Sequence, residues 1–157
     1  KTPFAYEGIP TFAPEHFARI TQVDTMKRKQ FVKGMEQIAQ EGAIQIFKTP
    51  YTGMEEVIVG VVGTLQFDVL EYRLKNEYNV ELYMEGLPYE YLRWIETDDG
   101  EPVKEEDLIL GTDVKLVEDY KGNKLLLFGA FWSIKWVADH NPQLVLTEFN
   151  ERSEEEE

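Results

Sequence analysis

The chain has 157 residues, a formal net charge of −14, 43% hydrophobic residues and no cysteine. This composition supports one compact domain or two small subdomains, and it excludes disulfides and thiolate metal sites. The lack of cysteine suits a cytoplasmic protein, which is our expectation. The longest apolar runs fall well short of the roughly 18 residues of a membrane-spanning helix. An acidic surface repels phosphate backbones, so we expect no broad nonspecific nucleic-acid binding.

The two ends of the chain predict flanking segments rather than folded structure. Residues 1–12, which open with "KTPFAYEGIP", are expected to be the end of a linker from a missing upstream domain. Residues 151–157, "ERSEEEE", predict an acidic, disordered tail. Between them we expect a first half over 13–87 and a second α/β half of the same domain over 88–150.

The first half begins with a strand and a helix. Polar and apolar residues alternate in "HFARITQ" at 16–22, as in a half-buried strand. Asp24 is placed to cap a helix that runs to about Glu41, and Gly42 stands where such a helix ends. Within this helix the apolar row is Phe31, Met35, Ile38 and Ala39. A strand at 43–48 follows, and then a turn containing Pro50 and Gly53.

A continuous apolar strand at 57–62, a second helix and a strand at 80–85 complete the first half. The strand has the composition of one buried on both faces. Thr64 is expected to cap the helix, whose apolar row is Phe67, Leu70, Leu74 and Tyr78. The resulting order, β-α-β-β-α-β, predicts an α+β fold with a ferredoxin-like sandwich over about residues 16–86, with two helices on one face of an antiparallel sheet.

The second half predicts smaller elements. We expect a strand at 89–97, a polar loop at 98–107 with a helical turn after Pro102, and a hairpin that turns at Lys121-Gly122-Asn123. "FWSIKWVADHNP" favours a short amphipathic helix, and "QLVLTEF" a last strand. These elements either extend the first sheet or form a second layer beside it.

The glycines at the end of the apolar strand raise the question of phosphate binding. A P-loop requires a longer glycine loop that ends in Lys-Ser/Thr, and a dinucleotide fingerprint requires three glycines. Here Gly60 and Gly63 are followed by Thr64-Leu65-Gln66, with no lysine before Lys75. We therefore interpret Gly60, Gly63 and Thr64 as a structural corner between a strand and the helix packed on it.

The sequence predicts neither catalytic residues nor a metal site. His16 and His140 have no second histidine at ligand spacing, and the acidic pairs do not follow the calcium-loop pattern. There is no Gly-x-Ser-x-Gly elbow. An acylphosphatase-like enzyme would need an arginine in a loop after the first strand, whereas Arg28 falls inside the first helix.

Basic residues gather at the start of the first helix. Lys27, Arg28, Lys29 and Lys33 lie where cations oppose the helix dipole. Two interpretations stay open. The cluster meets an external anionic partner, for which RNA phosphate is the natural candidate, or Glu36 and neighbouring loops simply balance it.

Four stretches closely resemble one family. They are "GIPTFAPEHFARI" (8–20), "KGMEQIAQEGAIQIF" (33–47), "VGVVGTLQFDVLEYRLKNEYNVE" (59–81) and "RWIE" (93–96). Each is similar to the C-terminal domain of bacterial peptide chain release factor 3, a translational GTPase. The corner at 63–67 also resembles one in the third domain of elongation factor G. The likeness weakens after residue 97 and returns at 131–148.

The resemblance implies a function that the residues alone do not. It implies a noncatalytic module that docks on the RNA and protein of the small ribosomal subunit. The module would couple GTP-driven movement to dissociation of class I release factors in translation termination. GTP and magnesium would belong to an upstream GTPase domain, followed by a barrel domain, so we expect no cofactor in this chain. A ferredoxin-like domain that binds a regulatory small molecule is the alternative.

Overall fold

A computed structural model describes residues 13–50 and 56–149. Its strands are β1 (His16–Gln22), β2 (Gln45–Phe47), β3 (Glu56–Val61), β4 (Leu82–Leu87), β5 (Tyr91–Thr97), β6 (Val114–Glu118), β7 (Lys124–Phe128) and β8 (Leu144–Glu148). Its α-helices are α1 (Arg28–Gln40), α2 (Leu65–Tyr78) and α3 (Phe131–His140), and 3₁₀ turns occur at Thr25–Lys27 and Glu105–Asp107. The predictions for 1–12, for 151–157 and for most of the turn after Pro50 lie outside the described residues.

The first sheet has the order β2-β3-β1-β4, and every neighbouring pair is antiparallel. Ile20 lies opposite Val57 on one side and Met84 on the other. Helices α1 and α2 cover the same face, since Phe31 and Leu74 share one core cluster with Ile20. The predicted ferredoxin-like order is confirmed.

Helix α1 begins after a capping residue and ends before a glycine, as the sequence predicts. The Asp24 carboxylate accepts a hydrogen bond of 2.9 Å from the Met26 amide, and the 3₁₀ turn that it caps leads into the helix. Phe31, Met35 and Ile38 are buried, as their spacing predicts. The chain leaves the helix through Gly42, whose φ of 87° is a left-handed conformation that favours glycine.

Helix α2 departs from prediction at its first residue. Thr64 occupies the N-cap position, but its side chain makes no capping hydrogen bond. A capping residue normally has extended backbone, which lets its side-chain oxygen turn back to the helix, whereas Thr64 has helical angles of −64° and −21°. The expected cap is therefore wrong, although the apolar row is confirmed, with Leu70 and Leu74 fully buried.

The second sheet has the order β6-β7-β5-β8, again fully antiparallel. It is a separate layer, and this decides between the two arrangements that the sequence left open. Phe17, Phe47 and Ile58 of the first sheet pack against Leu125 and Leu127 of the second. Residues 57–61 of β3 are accordingly buried on both faces of the strand, which explains their unbroken apolar composition.

Helix α3 covers the outer face of the second sheet. Val137 packs with Ile95, Leu126 and Phe128 in a third core cluster. The predicted hairpin turn is confirmed between β6 and β7, where Gly122 has a φ of 87°. The layers therefore run helices, sheet, sheet, helix.

A backbone bridge ties the two sheets together at one corner. The Lys48 amide donates to the Glu118 carbonyl at 2.8 Å, and the Glu118 amide donates to the Lys48 carbonyl at 2.7 Å. Lys48 follows β2 and Glu118 ends β6. Main-chain hydrogen bonds at this point supplement the side-chain contacts between the layers.

Candidate contact surfaces of the helical layer

The two glycines of the corner have different surroundings, since Gly60 is buried and Gly63 is exposed. A Cβ atom on Gly60 would lie 2.7 Å from Pro14 and 3.0 Å from Phe17, so the close approach is to the segment before β1 and to β1 itself, not to a helix. A Cβ on Gly63 would meet no atom within 4 Å. A steric reason for glycine thus exists at Gly60, whereas Gly63 has open space.

The basic cluster divides into residues with different surroundings. Lys27 is partly buried, and its ammonium group donates a 3.0 Å hydrogen bond to the carbonyl of Asn79, the C-cap residue of α2. A cation is favourable there because the helix dipole is negative at its C-terminus. Arg28, beside it, opens α1 and is exposed.

Lys29 and Lys33 lie on the outward side of α1, one helical turn apart. Both side chains are exposed. Glu36, the acid expected to balance the cluster, makes no ion pair with either lysine in the described part of the chain. The structure therefore brings these two cations together at the surface and engages Lys27 within the fold.

The sequence-based predictions missed an apolar row on the outer side of α2. Leu65 and Tyr72 are each 67% exposed and Val69 is 39% exposed. The spacing of four and three residues, opposite the buried row, was present in the sequence and could have revealed it. Val62, in the turn before the helix, is exposed as well.

Arg73 joins the two helices on their outer side. Its guanidinium pairs with Glu41 at the end of α1, and at 3.0 Å with Glu77 one turn along α2. The hydrogen bond from Arg73 holds the pKa of the Glu41 carboxyl below its usual range. The hydrogen bonds to Glu41 and Glu77 raise the pKa of Arg73 in turn.

A cavity of about 350 Å³ opens between the two sheets. Its polar lining includes Arg19, Thr49, Glu105 and Lys115. Arg19 also pairs with Glu85 at 3.0 Å. The cavity thus combines both signs of charge with apolar walls.

The two histidines have different surroundings. The ring of His140 stacks on Trp136 with centroids 3.8 Å apart, and its Nδ1 lies 2.8 Å from the Trp136 carbonyl. His16 is exposed. Over residues 13–50 and 56–149, no group of three or more His, Asp or Glu side chains could hold a metal ion.

The lengths of the helices bear on whether any of them could cross a membrane. Among the described residues, the longest helix is α2, with 14 residues. Within the described ranges, no helix combines the length and the apolar character that crossing a membrane requires.

These features define a class of protein: an α+β domain built from a ferredoxin-like half and a second antiparallel sheet with its own helix. Residues 6–138 match the family model described as "Class II release factor RF3, C-terminal domain". The chain belongs to this family.

Three relatives are each named peptide chain release factor 3. The protein of Symbiobacterium thermophilum is 44% identical over 143 residues, and that of Staphylococcus carnosus is 40% identical over 143 residues. The protein of Listeria monocytogenes is 43% identical over 142 residues. The alignments cover 90–91% of this chain and 26% of each relative, so the chain spans about a quarter of their length.

Proposed function

We propose that this chain is a noncatalytic docking and coupling domain that works in translation termination. It rests on the small ribosomal subunit, near RNA and protein. It moves as a rigid arm when a GTPase domain of the same protein switches nucleotide state, and this movement assists the departure of class I release factors. The observation that carries the proposal is the family match over residues 6–138.

The glycine corner supports the noncatalytic part of the proposal. Phosphate loops hold nucleotides with a lysine that follows their glycines. The segment from Gly60 to Phe67 contains no basic residue, and Asp68 follows it in the first turn of α2. GTP and magnesium are therefore assigned to another domain of the intact factor.

The continuous packing of the layers supports movement as one body. The core between α1 and the first sheet adjoins the core between the sheets, because successive residues of β3, such as Val57 and Ile58, belong to different clusters. The third cluster continues this packing to Val137 of α3. Cores that adjoin through shared strands transmit a rotation of one face to the other.

The contact with ribosomal RNA is assigned to the basic cluster, centred on Lys29 and Lys33. Arg28 is the first residue of α1 and is adjacent to Lys29 in sequence. Lys27 precedes it, and its ammonium group is hydrogen-bonded to the carbonyl of Asn79. Lys29 and Lys33 are exposed and pair with no carboxylate of residues 13–50 and 56–149, so we infer that they bind phosphate oxygens, which position a protein on RNA without reading sequence.

Salt dependence of ribosome binding tests the assignment. The variant Lys29→Gln with Lys33→Gln, in the intact factor that carries this domain, should bind ribosomes more weakly. The slope of log affinity against log salt should fall by about 0.7–0.9 for each phosphate group that the variant no longer neutralises. The matched control is Lys104→Gln with Lys121→Gln, two exposed lysines of the second half, which should leave the slope unchanged.

Charge reversal gives the stronger version of this test. Replacing Lys27, Arg28, Lys29 and Lys33 with Glu should impair both ribosome binding and recycling of class I release factors. If both activities survived, the residue assignment would be wrong, while the family membership would stand.

A second candidate function rests on the cavity between the sheets. Its size and mixed lining suit a small charged metabolite that regulates the domain. Thermal denaturation with a metabolite panel tests this, because a ligand at 100 times its Kd stabilises the folded state by about 2.7 kcal/mol. A rise in the denaturation temperature with one metabolite, lost in the variant Lys115→Met, would support the regulatory function. If no metabolite raised the denaturation temperature, docking would remain as the function.

A further inference from the structure

The outer face of α2 carries a row of exposed apolar side chains that α1 lacks. Leu65, Val69 and Tyr72 are spaced so that they lie on one side of the helix. Val62, 48% exposed, precedes them in the turn that leads into α2. Single exposed apolar residues are ordinary, but a continuous row marks an interaction site.

This row is not needed to hold α2 on its sheet. Leu70 and Leu74, on the opposite side of the helix, are fully buried. Phe67 and Tyr78 complete the inward row by packing against the same core. The inward row accounts for the attachment of α2, which leaves the outward row without a role in the fold.

Acidic groups dominate the flanks of the row. The exposed carboxylates on and beside α2 are Asp68, Glu71, Glu77, Glu41 and Glu81. The cations among them are already paired, since Arg73 binds Glu41 and Glu77, and Lys75 lies 3.9 Å from Glu81. A partner that binds this face therefore contacts an apolar row that is bordered by carboxylates.

We propose that the outer face of α2, formed by Leu65, Val69 and Tyr72, docks on a basic protein of the ribosome surface that presents apolar side chains. This inference rests on the proposed function. RNA does not fit this face, because binding of a nucleic-acid strand combines aromatic stacking with cations that track the phosphates. Opposite charges around an apolar centre favour a protein partner with a basic rim.

Site-specific photocrosslinking identifies what touches the row. A photoreactive amino acid replaces Val69 in the intact factor, which is then bound to purified ribosomes and irradiated. We expect an adduct with a basic ribosomal protein. An adduct with ribosomal RNA, an adduct with another part of the factor, or no adduct despite ribosome binding would overturn the inference.

Substitution of the row measures its share of the affinity. Leu65→Ser with Tyr72→Ser should weaken ribosome binding about tenfold, as expected when two anchor residues at the centre of an interface are removed. The matched control is Phe131→Ser with Trp132→Ser on α3, where the side chains are 64% and 68% exposed. This control should bind as the unchanged factor does.

The possible failures are distinct. Equal affinity of the Leu65 and Tyr72 variant and the unchanged factor would overturn this inference alone. A factor that bound no ribosomes with its sequence unchanged would overturn both this inference and the proposed function. Circular dichroism of each variant checks that the fold is retained, which is expected because the substituted side chains lie outside the core.

Discussion

Helices α1 and α2 cover the same sheet, pack against the same core, and differ on the side that faces solvent. Phe31 and Met35 of α1 and Leu70 and Leu74 of α2 are all fully buried in one cluster. On the outer side, α1 presents polar and charged residues such as Lys29, whereas α2 presents an apolar row. Burial explains both inner rows and neither outer row. The two helices therefore share the packing that holds them to the sheet and differ in the surface that they present to solvent.

The inner and outer rows of α2 should respond very differently to truncation. Leu74→Ala should lower the free energy of unfolding by about 2–5 kcal/mol, because it removes buried methyl groups and leaves a cavity. Leu65→Ala, at an exposed position, should change it by less than about 0.5 kcal/mol. Chemical denaturation measures both. A large effect of Leu65→Ala would mean that the outer row helps to hold the fold.

The crossing of the two helices depends on Gly34. A Cβ atom there would lie 2.4 Å from Cδ2 of Leu74 and 2.9 Å from the ring of Tyr78. Leu74 is fully buried, so it cannot turn out into solvent to make room. Gly34→Val should therefore cost about 1–3 kcal/mol of stability through overpacking. Gly63→Val is the matched control, since open space surrounds Gly63, and it should be close to neutral.

The two helices also end through different residues. The turn after α1 uses Gly42 and α2 ends at Asn79, and both have positive φ, 87° and 60°. Asn79→Ala should lower the free energy of unfolding by about 1 kcal/mol, because alanine resists the left-handed conformation. Asn79→Gly should retain the stability. If both variants were equally stable, the backbone angle would not be the reason for asparagine here.

The Arg73 contact joins the helices and should give a small pH-dependent effect. Since Arg73 depresses the pKa of Glu41, the pair stabilises the folded state above the ordinary carboxyl pKa, and this contribution is lost as the pH falls through the depressed value. The Glu41 side chain is 42% exposed, so solvent screening limits the gain to about 0.2–1 kcal/mol.

The measurement compares Arg73→Met with the unchanged chain by denaturation at several pH values. The stability difference should be present at neutral pH and should shrink below about pH 4.5, the ordinary value for this group. Glu41→Gln should remove much of the same pH dependence. A difference that persisted unchanged into acid would show that Arg73 acts through packing instead.

Much of the fold could be predicted because its patterns are local. The alternation of polar and apolar residues correctly predicted β1 at His16–Gln22. The helical spacing of apolar residues correctly predicted the buried rows of α1 and α2. The place of the second sheet could not be predicted, because each strand pattern shows which face is buried but not what covers it. The unbroken apolar composition of β3 indicated a cover on both sides without identifying it.

The site was less predictable than the fold. The hydrogen bond between Lys27 and Asn79 joins residues 52 positions apart, so no local pattern indicates it. The capping hydrogen bond expected from Thr64 is absent because threonine is a suitable capping residue but its backbone angles here are helical. The spacing of Leu65 and Tyr72 indicates the outer row, but the inner row of the same helix alone accounts for an amphipathic pattern.

The bridge between Lys48 and Glu118 has a mechanical consequence. Two sheets in contact through side chains alone can slip past each other under shear, since apolar contacts have little directional preference. Reciprocal main-chain hydrogen bonds at one corner resist that slip, because they are directional and weaken steeply when misaligned. A torque applied to α1 and α2 on one side of the domain is therefore transmitted to α3 on the other side with little relative movement of the two sheets.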